Sequence, residues 1–204
     1  MKQQQIWDAL AESWNRHRQK PVKEAVYFSQ SWKPGNILDI GCGNCRNLLP
    51  FAQNKFKCYG IDFSKSMIEE AKKYIKKHSV KVILKKASIE KLPFKDKTFD
   101  YMVSFAAFHH LETKEKRKKA LQEMKRVLKE NGLIVISVWN KLQPKFIFSR
   151  QDVFMPWKIK GKTYYRYYNL FTHRELEKLL KEENFKIIKS NTFGNNLTFL
   201  LTKK

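Results

Sequence analysis

The sequence predicts an α/β fold built on a doubly wound sheet of seven strands, mostly parallel, with the last strand antiparallel. Short apolar runs alternate with segments of helical periodicity along most of the 204 residues, which is typical of strand–helix–strand units. The run LIVISVW at 133–139 is apolar throughout, as in a strand that is buried on both faces. Two strand-like runs close the chain with only a short turn between them, which predicts a terminal antiparallel hairpin.

The first half of the chain supplies four of these strands and one clear helix. The strands are NILDI at 36–40, KCYGID at 57–62, VKVILKK at 80–86 and FDYMVSF at 99–105. Apolar side chains recur at helical spacing over residues 64–79, which predicts an amphipathic helix there. Ser66 and Glu69 have the spacing of a capping box at the start of that helix.

The second half supplies three strands and two helices. The strands are LIVISVW at 133–139, FKIIKS at 185–190 and LTFLLT at 197–202, the last two joined by Asn- and Gly-rich turn residues. A helix with a dense basic outer face is predicted at 114–130, and Asn131-Gly132 is expected to end it. Thr172 and Glu175 form a second capping-box pattern, which predicts the start of a helix over residues 173–182.

The charge of the chain indicates a polyanionic partner. There are 42 Lys and Arg residues against 19 Asp and Glu, for a formal net charge of +23. Such an excess favours RNA, DNA or an anionic surface as partner, although a lysine-rich composition habit of the source genome would also produce it. No apolar run is long enough to span a membrane, and the start of the chain has no apolar core like that of a secretory signal. Three cysteines cannot all pair within the chain, so we expect a reduced, cytoplasmic setting.

The stretch ILDIGCGNCRNLL at 37–49 carries the most specific chemistry. Cys42 and Cys45 have the spacing of a redox or metal CxxC, but no other CxxC and few histidines are present to complete a zinc site. The glycine pattern explains more, because Gly41 and Gly43 let the backbone turn tightly after a strand and let a ligand approach it. About 20 residues later the second strand ends at Asp62, where a carboxylate can accept both hydroxyls of a ribose.

The run LDIGCGNCRNLL resembles motif I of class I S-adenosylmethionine-dependent methyltransferases, commonly (L)DxGCGxG, and Arg46 stands where a dinucleotide fold would place its third glycine. KASIEKLPFKDKTFDYMVS is similar to that family's adenine loop and fourth strand. The resemblance covers the whole chain and implies a Rossmann-like fold with S-adenosyl-L-methionine as cofactor. It assigns to cofactor binding Asp39, Gly41, Gly43, Asp62, Ser88, Ile89 and Phe105.

Two positions depart from the family pattern. Cys45 replaces a common glycine, so we expect its side chain to lie near the methionine end of the cofactor. Ser88 replaces an acid that often bonds the adenine amino group, and because a hydroxyl can still donate or accept, we expect weakened but not lost binding.

A closer resemblance lies after the fourth strand. The segments SFAAFHHLETKEKRKKALQEMKRVLKENGLIVISVWN and QDVFMPWKIKGKTYYRYYNLFTHRELEKLL, together with the N-terminal WDALAESWNRHRQKPV, are similar to the tRNA wobble-uridine carboxymethyl methyltransferases. That family methylates the carboxylate of 5-carboxymethyluridine at the first anticodon position. The resemblance implies tRNA as substrate and a small zinc-binding activator protein as partner, with no zinc site in this chain and no membrane contact.

The same resemblance divides the chain into four parts within one methyltransferase domain, 1–204. These are an N-terminal helical cap (1–33), a cofactor-binding core (34–140), a substrate-side insertion (141–172) and a C-terminal helix and hairpin (173–204).

Several polar and aromatic side chains are candidates for the substrate. His109 is expected to orient the substrate as a neutral donor, whereas His110 is the histidine of the pair more expected to bond the backbone. Arg18 is a candidate clamp for the uridine carboxylate or a nearby phosphate. The catalytic candidates are thus His109 and Arg18, and the candidates for substrate or RNA binding are Arg16, Arg46, His110, Trp157, Arg166 and Tyr167.

Two other functions stay open at this point. A class I methyltransferase acting on a small molecule, such as a quinone precursor, would have the same fold. A non-catalytic RNA-binding protein could also keep the fold after losing turnover. The charge, the paired histidines and the RYY segment favour the tRNA enzyme.

Overall fold

A seven-stranded sheet forms the centre of the protein. The structure is a computed structural model that describes residues 2–191 and 195–204. The sheet consists of β1 (Asn36–Ile40), β2 (Lys57–Asp62), β3 (Val82–Lys86), β4 (Phe99–Phe105), β5 (Leu128–Trp139), β8 (Phe185–Asn191) and β9 (Asn196–Lys203). Two further strands, β6 (Asp152–Ile159) and β7 (Lys162–Asn169), pair only with each other and form a separate antiparallel ribbon.

The sheet has the predicted fold class. Its strands lie in the order β3-β2-β1-β4-β5-β9-β8. The first five are parallel to their neighbours, and β9 runs antiparallel to both β5 and β8. The chain leaves β1 towards one edge and returns to β4 on the other side of β1. A ligand crevice is expected where the strand order reverses, at the carboxyl ends of β1 and β4.

Helices cover both faces of the sheet. On one face α2 (Lys23–Ser31), the short α3 (Leu49–Gln53) and α4 (Lys65–Lys77) pack against the side chains of Ile37, Val103 and Val135. On the other face α5 (Lys114–Val127) and α6 (His173–Glu182) pack against those of Leu38, Met102 and Ile134. Alternate residues of each central strand are thus buried on opposite faces, which explains why these strands are apolar throughout.

Two of the element boundaries that differ from the sequence prediction have a clear structural cause. The helix predicted at 114–130 ends at Val127, because Leu128 already pairs with Phe99 in the sheet, and Asn131-Gly132 lies within β5. The cap of α4 is Ser64 instead of Ser66, since the Ser64 hydroxyl accepts the Met67 N–H. Part of the turn predicted between the last two strands, residues 192–194, lies outside the described residues.

The capping box of α6 is confirmed. The Thr172 hydroxyl accepts the Glu175 N–H at 3.3 Å, and the Glu175 carboxylate accepts the Thr172 N–H at 2.8 Å. The N-terminal helix α1 (Gln3–His17) packs on α4 and on the ribbon, through an apolar cluster whose members include Trp7, Leu10, Met67 and Trp157. Among the described residues, no helix is both long and apolar enough to cross a membrane.

Candidate active site

The loop after β1 turns tightly on its two glycines. Gly41 and Gly43 have φ angles of +73° and +53°, a backbone region that glycine adopts without strain. A Cβ on Gly41 would lie 2.3 Å from the Cβ of Ala107, so the loop passes directly against the exit of β4. The N–H groups of Gly41 and Cys42 both donate to the Ile61 carbonyl, which fixes the loop beside the end of β2.

Cys45 lies in the core and not beside the ligand crevice. It adopts the left-handed conformation of the glycine that it replaces, with φ +67°. Its side chain is buried with Leu48 and Phe51, and it does not line the cavity described below. The expectation that Cys45 adds a side chain at the methionine end of the cofactor is therefore corrected.

The cysteines of the loop are poorly suited to redox chemistry. The hydrogen bond with Cys45, followed by burial, holds the pKa of the Cys42 thiol well above its usual range. Cysteine reactivity needs the thiolate, so a raised pKa opposes it. Within residues 2–191 and 195–204, no three His, Cys, Asp or Glu side chains are grouped so that they could hold a metal ion.

Asp62 closes the loop from the end of β2. One carboxylate oxygen accepts the Gly43 N–H at 3.0 Å, and the other accepts the Ser64 N–H at 2.9 Å. Burial raises the pKa of Asp62 to about 6, although these two N–H groups favour the charged form. Each oxygen keeps a second lone pair, so the carboxylate can still accept a pair of ribose hydroxyls.

Asp39 is a second buried carboxyl group close to this loop. It is 1% exposed, and among the described residues neither of its oxygens has a hydrogen-bond partner. Burial, reinforced by the negative charge of Asp62, raises the pKa of Asp39 to about 7. An unpaired buried carboxyl group is costly, which indicates a site built for a positively charged or donating ligand.

A cavity of about 660 Å³ opens at the carboxyl ends of β1, β2 and β4. It brings together most of the predicted site residues. Those that line it are Arg18, Gly41, Gly43, Arg46, Asp62, Ser88, Ile89, Phe105, His109, His110 and Arg166. Four others do not line it: Asp39 is buried behind the loop, and Arg16, Trp157 and Tyr167 lie elsewhere.

The three substrate candidates outside the cavity each have another contact. Arg16 is exposed on α1 and pairs with Glu12 at 2.9 Å. The Trp157 indole N–H donates to the Ser13 hydroxyl at 3.1 Å, which joins the ribbon to α1. Tyr167 is buried, and its hydroxyl donates to Asp152 at 2.7 Å. Their predicted contacts with RNA stay predictions.

The two histidines after β4 have different roles in the structure. The Nδ1 atom of His110 donates to the Tyr167 carbonyl at 2.7 Å. The Nδ1 atom of His109 instead accepts the Trp139 N–H at 3.0 Å, so its proton lies on Nε2, which has no partner among the described residues. Burial, then the neighbouring His110, lowers the pKa of His109 well below its usual value. His109 is therefore a fully buried neutral ring in the cavity wall, with its one N–H on Nε2.

Arg166 is a buried cation at the same wall. It is 8% exposed, its Nη1 donates to the Tyr168 hydroxyl at 2.8 Å, and its guanidinium lies over the Trp157 ring at 4.8 Å. No ion pair joins it to an acidic side chain of the described residues. Burial lowers the pKa of Arg166, and the charge of Arg18 adds to that effect.

Tyr168, Trp139 and Glu90 are among the residues of the cavity wall that the sequence reasoning missed. Tyr168 stacks on Trp139 with ring centroids 4.1 Å apart, and both line the cavity behind His109. Glu90 lines it beside Ser88, whose hydroxyl accepts the Glu90 N–H at 3.2 Å. Glu90 supplies a carboxylate two residues after the position where the family pattern has one. The sequence marks Tyr168 only through the RYY segment, and it marks Trp139 only as the end of a strand.

The fold and the site together define a nucleotide-type ligand crevice in a doubly wound α/β protein. A family model described as a methyltransferase domain matches residues 38–136. The chain belongs to the class I S-adenosylmethionine-dependent methyltransferases.

Relatives with related names align over most of the chain. A putative methyltransferase of Encephalitozoon cuniculi is 32% identical over 175 residues, covering 82% of this chain and 78% of the relative. The probable tRNA methyltransferase 9B of Mus musculus is 34% identical over 151 residues, covering 74% of this chain but 30% of the relative. The Arabidopsis thaliana tRNA (carboxymethyluridine(34)-5-O)-methyltransferase is 33% identical over 137 residues, 66% of this chain and 31% of the relative.

A solved structure shares the fold. The crystal structure of Burkholderia thailandensis 1,6-didemethyltoxoflavin-N1-methyltransferase, with bound S-adenosylhomocysteine, superposes with a TM-score of 0.74. It is 16% identical, covers 98% of this chain and is itself covered over 87% of its length.

The residues of the crevice fit S-adenosylmethionine. Gly41 and Gly43 line the cavity with bare backbone, and the open lone pairs of Asp62 suit a ribose. The unpaired Asp39 carboxyl group lies behind the same loop, where the positive charge of a ligand would offset the cost of its buried negative charge. When bound, this cofactor supplies a methyl group made electrophilic by its sulfonium.

Proposed function

We propose that this protein transfers the methyl group of S-adenosylmethionine to the carboxylate of 5-carboxymethyluridine at the wobble position of tRNA, giving the methyl ester. The observation that carries the proposal is the buried Arg166 guanidinium, which lines the cavity without an acidic partner among the described residues. The names of the mouse and Arabidopsis relatives support tRNA as the substrate.

An unpaired buried cation favours an anionic substrate. Removing a guanidinium from water is costly unless an opposite charge or a set of acceptors replaces the water. Arg166 keeps one hydrogen bond, to Tyr168, and its Nε has no partner among the residues that the structure describes. Arg18 lines the same cavity, so two guanidinium groups can flank a carboxylate there.

The neutral His109 suits a carboxylate nucleophile. A carboxylate is already anionic at pH 7, so the reaction needs orientation and exclusion of water more than it needs a general base. A neutral N–H donor holds one oxygen without withdrawing much charge from the oxygen that attacks. Bound S-adenosylmethionine would supply the methyl group, and because the carboxylate is already ionised the residues of the chain would have no proton to remove.

The charge of the protein supports an RNA substrate. The formal net charge is +23, and α5 carries Lys and Arg along its exposed face. Such a surface attracts the phosphate backbone and makes affinity sensitive to salt. We place the cap (1–33) and the insertion (141–172) at the substrate side of the core, and we place the enzyme in the cytoplasm.

The family resemblance also supports a small zinc-binding activator as partner. In this part of the proposal the zinc site belongs to the partner, and the chain itself is expected to bind no zinc. A chain that is soluble and fully active when purified alone would contradict this part of the proposal.

The test compares tRNA nucleosides from cells with and without the gene by mass spectrometry. We expect loss of one methyl ester and accumulation of the free acid. In vitro, labelled methyl groups transferred to tRNA should be released by mild alkali, which saponifies an ester but leaves N-, C- and ribose O-methyl groups intact. Alkali-stable label would contradict ester formation.

Two further outcomes would each favour one of the two alternative functions over the proposed one. Transfer to a small quinol but not to tRNA would identify a small-molecule enzyme. Absence of any binding heat with millimolar S-adenosylmethionine would identify a non-catalytic protein on this fold.

A further inference from the structure

The ribbon of β6 and β7 presents an aromatic strip on its outer face. Along each strand alternate side chains point to opposite faces. Trp157 and Arg166 belong to the inner face, towards α1 and the cavity. Phe154 and Tyr165 belong to the outer face, where they are 59% and 54% exposed. Pro156 pairs directly with Tyr165 and lies between the two rings on that face. Below, "the strip" means Phe154, Pro156 and Tyr165.

Lysines without ion pairs follow the strip. Lys158 on the outer face and Lys160 in the turn are both exposed at the end of the ribbon, and neither forms an ion pair with any described residue. One acid shares the outer face at the far end. Asp152 accepts hydrogen bonds from Tyr167 and Asn169 there. The strip is thus an apolar surface with positive charge at one end, which suits bases joined by phosphates.

The strip is connected to the mouth of the cavity. Gln3 lines the cavity, and its side chain donates to the Tyr165 carbonyl at 3.3 Å and accepts the Tyr167 N–H at 3.0 Å. The next residue after Tyr165 is Arg166, which faces the cavity. Gln3 thus joins the mouth of the cavity to the edge of the ribbon, on whose opposite face Tyr165 lies.

We propose that the outer face of the ribbon binds unpaired nucleotides that flank the target. Phe154 and Tyr165 stack on the bases, and Lys158 and Lys160 hold the phosphates. The proposal deepens the proposed function, because it rests on that function for the identity of the target nucleotide. Binding itself requires no methyl transfer, and stacking would tolerate different sequences because every base has a flat face.

The test measures binding of a fluorescent single-stranded oligoribonucleotide to the full chain, without cofactor. We expect the double variant F154A/Y165A to bind about 10- to 100-fold more weakly, as loss of two stacking platforms implies. The conservative F154W/Y165W should bind like the parent. Tyr27→Ala is the matched control, since Tyr27 is 60% exposed on α2 and does not line the cavity.

Affinity for a fully paired RNA duplex separates stacking from charge. The duplex hides its base faces, so F154A/Y165A should bind it as the parent does, whereas K158A/K160A should weaken both RNAs. Equal single-strand affinity in the parent and F154A/Y165A would overturn the proposal. Loss of duplex binding in F154A/Y165A would also overturn it, since general disruption would then explain the effect.

The outcomes also separate this proposal from the proposed function. If no ester forms but the strip variants lose single-strand affinity, only the identity of the reaction fails. If the ester forms and F154A/Y165A leaves the KM for tRNA unchanged, only the strip fails. Self-association of the parent in sedimentation, lost in F154A/Y165A with RNA affinity unchanged, would assign the strip to a second copy of the chain.

Discussion

The Nδ1 atom of His109 accepts the main-chain N–H of Trp139 at 3.0 Å, and this contact fixes the tautomer of the ring. A ring nitrogen that accepts carries no proton, so the proton of the neutral imidazole lies on Nε2. The Nε2 atom is buried and has no partner in the described part of the chain. The ring therefore keeps its one N–H on Nε2, in the wall of the cavity.

We predict that His109→Ala lowers kcat about 100-fold, in line with the loss of one positioned donor. His109→Gln, which can still donate, should recover part of the rate. At saturating cofactor, the pH profile of kcat should show no inflection from His109 between pH 6 and 8, because its pKa is held well below 6.5.

His78→Ala is the matched control, because His78 caps the end of α4 away from the cavity. An inflection near pH 6.5 in the parent that disappears in His109→Gln would contradict a neutral donor. It would indicate that His109 exchanges a proton during turnover.

Arg166→Met should separate substrate binding from stability. Methionine keeps most of the apolar volume and can contact the Trp157 and Tyr168 rings through sulfur. We expect the free energy of unfolding to change by less than about 1 kcal/mol, since removal of an unpaired buried charge offsets the lost contacts. The KM for tRNA should rise at least about tenfold, as expected for loss of a charged hydrogen-bond donor.

Thermal unfolding and steady-state kinetics measure the two effects of Arg166→Met. Arg174→Met, at an exposed position of α6, is the control and should change neither. A fall of several kcal/mol in unfolding free energy, with KM unchanged, would make Arg166 a structural residue and remove the main support for an anionic substrate.

Asp62 gives cofactor affinity a predictable pH dependence. Its pKa is raised to about 6, and the ionised form is the better acceptor for ribose hydroxyls. The ionised fraction falls from about nine-tenths at pH 7 to about one-tenth at pH 5. Affinity for S-adenosylmethionine should therefore fall about tenfold over that range. Asp62→Asn should weaken binding about 10- to 100-fold at pH 7 and remove this pH dependence.

Calorimetric titrations of the parent and Asp62→Asn at pH 5, 6 and 7 provide the measurement. Asp8 and Asp39 also face Asp62 electrostatically, so any remaining pH dependence in the variant belongs to them. Identical pH dependence in the parent and the variant would show that Asp62 does not contact the cofactor.

The sequence predicted those parts of the fold and site whose determinants are local. The strands and the glycine loop were recognisable because the apolar runs, Gly41, Gly43 and Asp62 form a contiguous pattern. The end of α5 was not recognisable from the sequence, because Leu128 continues the helical spacing of Met124. Leu128 belongs to the sheet only because it pairs with Phe99. Ser64 and Ser66 both suited a cap, and both are held in place by Asp8 from α1, which is distant in sequence.

The faces on which the aromatic side chains of the ribbon lie could not be predicted from local sequence either. Its aromatics were recognised, but their faces depend on the β6–β7 register, which the sequence analysis did not predict. That register places Trp157 against α1 and leaves Phe154 and Tyr165 on the outer face. Glu90 was missed for a related reason. Its place in the cavity wall follows from the path of the loop after β3, and a family pattern centred on position 88 does not show it.

Asp39 should make the protein less stable as the pH rises. Its pKa is raised from 3.8 to about 7 in the folded protein, so the folded state holds this proton more tightly than the unfolded state does. The stabilising contribution is complete below about pH 4, decreases as the pH rises, and is fully lost above about pH 7.

Asparagine cannot ionise, so Asp39→Asn should gain stability relative to the parent by about 2–3 kcal/mol between pH 5 and pH 8. Urea unfolding at pH 5 and pH 8 gives the free energy of unfolding of the parent and of Asp39→Asn. The change with pH in the difference between the two proteins does not contain the pH-independent cost of the amide. A constant difference between variant and parent would mean that Asp39 is already ionised in the folded protein and has a counter-charge. Added S-adenosylmethionine should reduce the difference at pH 8, because a cationic ligand near the loop favours the ionised carboxyl group.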